Sequence, residues 1–395
     1  MFTSWNIADS LLTSATDGHQ FWEPKLLSQE LKRRGKAVRL LGHKSIAAAN
    51  FPDAESVPLF PLYFTEPNSR DPTWGYLENF IVQNRGFEEA LVTFPASLLR
   101  DAIMLFPNVT ERQLLGIFRW IGLLEVRNLP GIAIVLSALQ NWGTTNPSIE
   151  VYRKLWSECP PETKERLRLC ARTEITAQKF EETLGTRPHV LPSVLAPTAH
   201  EVAAARECAA SASDPVSVVF VGGARRERGA LLVPDVVRQC LAPGIRFRIQ
   251  ITDWLDISFD VRLLRALREL PGVEIHEGVL PRDVYNAWIA GGLILLPYER
   301  ESYRSRSSGV YFEAKCFGSP VIVPDGTWMA EDVRRCGNGL VFDDHSPAAI
   351  ARTIAAAQAD LPQLRARALA SGEEFRARHG ADRFVDALES LVSRG

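Results

Sequence analysis

Short apolar runs alternate with helix-like segments through the second half of the chain. The runs are bounded by glycine, proline or polar residues, which is typical of buried strands. They predict strands at 216–221, 245–252, 273–276, 293–296 and 321–323. The segments between them predict helices at 230–241, 259–270 and 281–290. Because repeated strand–helix units require crossovers between parallel strands, this half is predicted to be a doubly wound α/β sheet.

The first half shows the same alternation less regularly. Residues 24–34 predict a helix, and Gly35 is suited to end it before a strand at 37–41. The segment 50–75 is rich in proline, phenylalanine and asparagine and is predicted to be a loop. Further strands are predicted at 90–94, 132–136 and 189–191, and further helices at 114–123 and 173–184. These elements fit another α/β domain.

A chain of 395 residues is expected to form two domains, because single hydrophobic cores stop growing at about 250–300 residues. The segment 196–215 is rich in alanine, serine and proline and is predicted to link them, with a short helix at 201–210. We therefore predict an N-terminal domain at 1–195 and a C-terminal domain at 216–370. The remaining residues, 371–395, continue an amphipathic helical pattern that begins near residue 364.

The composition narrows the class of protein. Lys and Arg (45) nearly balance Asp and Glu (47), which argues against a nucleic-acid-binding protein. No window approaches 18 uncharged apolar residues, and residues 1–19 lack the basic start and apolar core of a signal peptide. The six cysteines are scattered without a Cys-x-x-Cys pair. This pattern favours reduced thiols in a cytoplasmic protein.

One stretch of the second half has the features of an anion site. The strand at 293–296 is followed by a polar loop with three arginines, and Ser307, Ser308 and Gly309 then open a helix. The first N–H groups of a helix have no partner within it, and the helix dipole favours negative charge there. We therefore predict that the backbone at Ser307, Ser308, Gly309 and Val310 binds an anion.

The same stretch resembles a known family. Residues 313–321, Glu-Ala-Lys-Cys-Phe-Gly-Ser-Pro-Val, resemble the E-A-x-A-x-G-x-P-V segment of retaining GT-B glycosyltransferases of the family 4 type. Glu331 and the Gly-Asn-Gly-Leu-Val at 337–341 fit the continuation of that segment. The resemblance implies two Rossmann-like domains facing a central cleft and a nucleotide-sugar donor. It also implies that the C-terminal helix, within 371–395, crosses back to the first domain.

The loop after the strand at 216–221 supplies the predicted diphosphate-binding cations. Its sequence, Gly-Gly-Ala-Arg-Arg-Glu-Arg-Gly, resembles the family's G-R-x-x-x-x-K-G loop, whose Arg and Lys grip the diphosphate. Arg228 falls on the Lys position, whereas Gly223 occupies the Arg position. Arg225 or Arg226 is expected to supply that charge from a shifted place. Because the chain contains no Asp-x-Asp motif, we expect these cations, rather than a metal, to stabilise the leaving diphosphate.

The resemblance assigns Glu313 to the ribose hydroxyls, a role suited to an acceptor-only carboxylate. The family's second glutamate, eight residues earlier, is Ser305 here. Residues of the same loop are candidates to replace its sugar contacts: Tyr298, Tyr303, Arg304 and Arg306. Gly18 and His19 precede the first helix, where the family has a glycine-containing loop near donor and acceptor. His19 and Arg228 are therefore the candidate catalytic residues.

The primary hypothesis is a retaining, metal-independent glycosyltransferase with no cofactor. It would move a sugar from a nucleotide-diphosphate donor to a hydroxyl acceptor, either a growing surface polysaccharide or a glycolipid. Its expected partners are that nucleotide sugar and that glycan or glycolipid, and not nucleic acid. A lipid-linked acceptor would bring this cytoplasmic protein into peripheral contact with the inner face of a membrane.

Two alternatives remain open from the sequence. The first is an enzyme of the same fold, such as a sugar-nucleotide epimerase or a phosphorylase-like enzyme. The second is a catalytically silent GT-B-like binding protein or partner subunit of another transferase. The departures from the family pattern at Ser305 and Gly223 motivate the second alternative.

Overall fold

The structure is a computed structural model of the chain. It describes residues 2–16, 18–62, 72–125, 130–137, 148–194, 197–210, 216–223, 225–240, 244–251, 267–304, 306 and 308–393. The chain divides into two compact units, each with its own sheet. The first unit contains residues 1–195 and 379–395, and the second contains residues 196–378.

The first unit is built on a seven-stranded parallel sheet with the strand order β3-β2-β1-β4-β5-β6-β7. Its strands are β1 (Ser4–Ala8), β2 (Ala37–His43), β3 (Glu55–Phe60), β4 (Ala102–Val109), β5 (Gly131–Leu136), β6 (Leu167–Ala171) and β7 (His189–Val190). Its helices up to β7 are α1 (Gly18–Arg33), α2 (Pro72–Thr93), α3 (Glu111–Leu123), α4 (Ser148–Glu158), α5 (Pro161–Arg166) and α6 (Glu174–Leu184). Side chains of β4 alternate between two hydrophobic cores, one on each face of the sheet.

The second unit contains a six-stranded parallel sheet with the order β10-β9-β8-β11-β12-β13. Its strands are β8 (Val216–Phe220), β9 (Ile245–Ile251), β10 (Val273–Glu277), β11 (Leu293–Leu295), β12 (Val321–Pro324) and β13 (Gly339–Phe342). Its helices are α7 (Ala199–Ala210), α8 (Val233–Gln239), α9 (Arg282–Gly291), α10 (Arg300–Tyr303), α11 (Gly309–Phe317), α12 (Trp328–Cys336), α13 (Pro347–Ala359) and α14 (Leu361–Arg378). The predicted doubly wound sheets are therefore confirmed in both units.

The last helix, α15 (Ala381–Ser393), belongs to the first unit. It buries Phe384, Val385 and Leu388 in the core that covers one face of the first sheet. A Cβ atom at Gly131 would lie 2.0 Å from Cγ1 of Val392, so the start of β5 needs a glycine there. The C-terminal helix thus crosses back to the first domain as expected.

Two local predictions for the first half are wrong. Residues 90–93 end a helix and do not form a strand, because Phe87, Ala90 and Leu91 share the buried face of α2 at helical spacing. The predicted loop at 50–75 contains the strand β3. Pro58 is tolerated in β3 because that strand is at the edge of the sheet.

Other elements differ in extent or were missed. The strands β4 and β6 were not predicted, and α1 begins six residues before the expected start at 24. The predicted linker contains α7, which packs in the second unit, where the Arg206 guanidinium donates to the Phe317 carbonyl at 2.8 Å. Most of the helix predicted at 259–270 lies outside the described residues. None of the six cysteines forms a disulfide, and no helix in the described part is long and apolar enough to cross a membrane.

Candidate functional site

The candidate site lies at the carboxyl end of the second sheet, where the strand order reverses. There β8 has β9 on one side and β11 on the other, so the loops after β8 and β11 diverge. Ligands of open α/β sheets bind in the crevice at such a switch point. The two loops are those that the sequence analysis selected, at residues 222–229 and 297–308.

Gly222 brings the first loop against both a cation and a helix. Its φ is +94°, a conformation that favours glycine. A Cβ atom at this position would lie 2.8 Å from Nη1 of Arg228 and 3.4 Å from Cγ2 of Val310. The Gly222 backbone therefore lies between the Arg228 guanidinium and the first turn of α11. This geometry brings together two of the predicted diphosphate-binding elements.

Two buried tyrosines hold the Arg228 side chain. Nε of Arg228 donates to the hydroxyl of Tyr303 at 3.3 Å. Tyr303 packs on Tyr298, with 4.2 Å between the ring centroids, and both side chains are 1% exposed. These tyrosines therefore support the arginine, whereas the sequence predicted them as candidate sugar contacts. Burial raises the pKa of Tyr298 to about 12, so its hydroxyl remains protonated at neutral pH.

Three guanidinium groups and one carboxylate meet above these tyrosines. Nη1 of Arg225 lies 3.9 Å from Oε1 of Glu227, and Nη1 of Arg306 lies 3.7 Å from the same oxygen. The guanidinium of Arg306 also lies over the Tyr303 ring, at 5.2 Å from the centroid. Burial and the charge of Arg228 lower the pKa of Arg225. We call Arg225, Arg228 and Arg306 the arginine cluster, and its excess of positive charge is suited to an anion.

The start of α11 adds N–H donors beside this cluster. Ser308 caps the helix, because its hydroxyl accepts from the Tyr311 amide at 3.2 Å and its carbonyl accepts from the Phe312 amide. The amides of Gly309 and Val310 have no hydrogen-bond partner among the described residues. They remain available for the predicted anion. Ser305 and Ser307 lie outside the described residues.

Glu313 lies one turn further along α11 and is already hydrogen-bonded. Nη1 of Arg282 donates to its Oε1 at 3.0 Å, and the hydroxyl of Tyr285 donates to its Oε2 at 2.6 Å. Neither partner was predicted from the sequence. Their spacing of three residues on α9 was the available signal, because residues i and i+3 share a helix face. Each carboxylate oxygen keeps a lone pair for a further donor.

Other predicted residues lie apart from the arginine cluster. Arg304 is the C-cap of α10, and its side chain is 59% exposed. Its Nη2 lies 2.8 Å from Oε1 of Glu301 in the same helix. Glu331 is exposed in the first turn of α12. The helix α1 begins at Gly18, but the side chain of His19 lies outside the described part of the chain. The structure therefore leaves His19 as a prediction only.

A polar group at the switch point of the first sheet was not predicted. Asp9 follows β1, and its carboxylate accepts from the Leu11 amide at 2.9 Å and from Nδ2 of Asn108 at 2.6 Å. Nη2 of Arg172 donates to Oδ1 of Asn108 at 3.0 Å and to Oε2 of Glu23 at 2.9 Å. Burial raises the pKa of Asp9 to about 6. These residues come from β4, α1 and the ends of β1 and β6, so no local sequence pattern indicates them.

No protein-family model and no curated protein matches the sequence. Solved structures match it over nearly its whole length. A glycosyltransferase from Rickettsia africae has a TM-score of 0.65 at 12% identity, and the match covers 100% of this chain and 98% of the other. HepE of Anabaena in complex with UDP-glucose has a TM-score of 0.65 at 13% identity, over 99% and 100% of the two chains. WaaG, a glycosyltransferase involved in lipopolysaccharide biosynthesis, has a TM-score of 0.61 at 14% identity, over 99% and 100%. The protein therefore has the GT-B fold that these glycosyltransferases share.

Proposed function

We propose that the protein is a glycosyltransferase that moves a sugar from a nucleotide-diphosphate donor to a hydroxyl acceptor. The observation that carries this proposal is the arginine cluster, which lies near the start of α11 at the switch point of a GT-B sheet, where the amides of Gly309 and Val310 have no partner among the described residues. Charge builds on the leaving diphosphate in the transition state of such a transfer. Fixed cations and N–H dipoles aimed at that charge lower the barrier.

The charge of the site supports a diphosphate in particular. Three guanidinium groups against the single carboxylate of Glu227 leave an excess of two positive charges. The diphosphate of a nucleotide sugar carries two negative charges. The protein thus has its own cations to match the charge of the bound diphosphate, which supports transfer without a metal ion.

Glu313 is proposed to accept the ribose hydroxyls. Arg282 and Tyr285 hold its carboxylate in one orientation, and its oxygens keep lone pairs for two further donors. The resemblance to the family 4 type supports retention of the anomeric configuration. In that chemistry the leaving phosphate takes the acceptor proton, so no separate base is required.

The acceptor is proposed to bind to the first unit and to be a surface polysaccharide or a glycolipid. WaaG acts in lipopolysaccharide biosynthesis and HepE was solved with UDP-glucose, which supports a glycan or glycolipid acceptor and a nucleotide-sugar donor. A lipid-linked acceptor would bring the protein to a membrane surface.

A thermal-shift screen tests the donor site. The ligands are UDP, GDP, ADP and dTDP and their glucose, galactose or mannose conjugates, in the presence of EDTA. A ligand at 100 times its dissociation constant adds about 2.7 kcal/mol of stability, so a binding nucleotide raises the melting temperature visibly. Arg228→Gln is expected to abolish the shift. Arg268→Gln, which removes an exposed arginine outside both loops of the site, is the matched control and is expected to keep it.

The activity assay then separates the proposal from its alternatives. A transferase is expected to hydrolyse the selected donor slowly and to transfer its sugar once an acceptor is added. Epimerised nucleotide sugar without any acceptor would identify an epimerase instead. Tight nucleotide binding with no turnover would identify a silent binding protein, and no binding by a folded sample would overturn the donor site itself.

A further inference from the structure

A buried guanidinium nitrogen in the arginine cluster has no hydrogen-bond partner among the described residues. This atom, Nη1 of Arg306, is shielded from solvent and lies 3.7 Å from Oε1 of Glu227, beyond hydrogen-bond distance. Leaving a buried charged donor unpaired costs free energy, so such groups in native proteins point to a missing ligand or a function. Arg306 is therefore a candidate for direct contact with the donor.

Arg306 is held in place at both ends. Its carbonyl accepts from Nε1 of Trp328 at 2.5 Å, and its guanidinium packs over the Tyr303 ring. The side chain is only 19% exposed, in contrast to the exposed Arg304 two residues earlier. The orientation of Arg306 towards the cluster is thus fixed by packing before any ligand binds.

Glu227 is held differently, with a fixed backbone and a loosely bound carboxylate. Its carbonyl accepts from the Glu299 amide at 2.9 Å, which fixes the main chain. Its carboxylate makes no hydrogen bond among the described residues and contacts Arg225 and Arg306 only at ion-pair distances of 3.9 and 3.7 Å. A carboxylate bound by charge alone can rotate away when a stronger anion arrives.

We propose that Glu227 is a built-in counter-ion of the donor site and that Arg306 is a diphosphate-binding residue, a statement that rests on the proposed function. In the empty protein the Glu227 carboxylate reduces the repulsion among the three arginines. The diphosphate of the nucleotide sugar displaces the Glu227 carboxylate and accepts hydrogen bonds from Nη1 of Arg306 and from Arg225. Charge-assisted bonds from guanidinium groups to phosphate oxygens are stronger than the long ion pairs that they replace.

The proposal predicts opposite effects for two neutral substitutions. Glu227→Gln removes the competing anion and is expected to lower the dissociation constant for the selected nucleoside diphosphate roughly tenfold. Arg306→Gln removes a donor and is expected to raise it by about the same factor. In the double variant the gain from Glu227→Gln should shrink, because the two residues act on one another.

Isothermal titration with UDP, GDP, ADP and dTDP measures these constants, and the corresponding nucleoside monophosphates serve as the comparison ligands. The monophosphates are expected to respond less to Glu227→Gln than the diphosphates, which a general change in folding would not produce. Arg268→Gln, which removes an exposed arginine paired with Glu277, is the control and should match the wild-type protein. If Arg306→Gln does not fold, Glu227→Gln decides alone, and an unchanged or higher dissociation constant overturns the proposal.

The outcomes separate this inference from the proposed function. Wild-type protein that binds no nucleoside diphosphate would overturn the donor site, and the counter-ion with it. Wild-type protein that binds a diphosphate with the same affinity as both variants would leave the donor site standing and overturn the roles of Arg306 and Glu227.

Discussion

Gly229 lies directly against the carbonyl oxygen of Pro297. A Cβ atom on Gly229 would be 1.9 Å from that oxygen, and the φ of Gly229 is +70°. This approach joins the short 3₁₀ turn Arg226–Arg228, which carries Glu227, to the loop that follows β11. The absence of a side chain at one position thus sets the distance between the two halves of the arginine cluster.

Gly229→Ala is therefore expected to disrupt the site. The strained φ and the forced separation of backbones should lower the free energy of unfolding by about 2–4 kcal/mol, and nucleoside diphosphate binding should be lost. Gly185→Ala is the matched control, because Gly185 has a φ of +68° but its Cβ would meet no atom within 4 Å. Urea unfolding measures the stability of both variants, and titration measures their nucleotide binding. Equal affinity of Gly229→Ala and Gly185→Ala for the nucleotide would contradict this account.

Tyr285→Phe tests the support of the proposed ribose-binding carboxylate. The substitution removes the 2.6 Å hydrogen bond to Oε2 of Glu313 while keeping the ring. We expect a loss of about 1 kcal/mol in stability and a several-fold rise in the KM for donor with a smaller change in kcat. Glu331→Gln, on an exposed residue of α12, should change neither quantity. An unchanged KM in Tyr285→Phe would separate Glu313 from donor binding.

The pair of Lys315 and Asp332 is expected to matter for stability. Nζ of Lys315 is buried and lies 2.5 Å from Oδ2 of Asp332, which also accepts from the Tyr311 hydroxyl at 2.5 Å. Lys315→Met removes the ammonium partner and leaves the carboxylate with Arg335 and the Tyr311 hydroxyl, and should lower the free energy of unfolding by about 1.5–3 kcal/mol. Arg268→Gln, which breaks the exposed pair with Glu277, should cost at most about 1 kcal/mol. Equal losses in the two variants would refute the structural role of Lys315.

The same pair gives a direction for the effect of acid. Burial alone would raise the pKa of Asp332, but Lys315 and three hydrogen bonds lower it below its ordinary value of 3.8. A lowered folded-state pKa stabilises the protein above the ordinary value, and that stability is lost as the pH falls through the folded-state pKa. Acid unfolding of Lys315→Met should therefore begin at a higher pH than that of the wild-type protein, as followed by circular dichroism.

Asp9 is expected to titrate near neutral pH. Its pKa of about 6 exceeds the ordinary 3.8, so between these values the folded protein holds a proton that the unfolded chain has released. This group therefore lowers stability as the pH rises through that window, and the full cost of about 3 kcal/mol is present above pH 6. The carbon-13 carboxyl resonance of Asp9, assigned by its loss in Asp9→Asn, measures the pKa.

Asn108→Ala should raise the pKa of Asp9 further, because the amide hydrogen bond favours the charged form. Thr13→Ala is the control in the same loop, where the Thr13 hydroxyl accepts from the Ala15 amide at 3.1 Å. A resonance that titrates near pH 4 in the wild-type protein would show that Asp9 is not shifted by burial.

Much of the second unit could be predicted from the sequence because its signals are local. The alternation of apolar runs and helix-like segments marked β8 to β12, and Ser308 marked the start of α11. In the first unit, β4 and the end of α2 were harder to recognise. Both are apolar and buried, and a run of apolar residues alone does not distinguish a central strand from the inner face of a helix.

The sequence by itself determined the two α/β sheets, the two loops that carry the candidate site and the residue types in them. Only the tertiary structure decided which of those residues meet. Glu227 and Arg306 are far apart in the chain and become neighbours because β8 and β11 are adjacent in the sheet. Likewise, Arg282 and Glu313 meet because α9 and α11 pack against one another, and Asp9 meets Asn108 because β1 pairs with β4. Strand order depends on how whole elements bury one another, and no local sequence pattern contains that information. The strand order decided which side chains meet at each site, how deeply they are buried and which charges lie together.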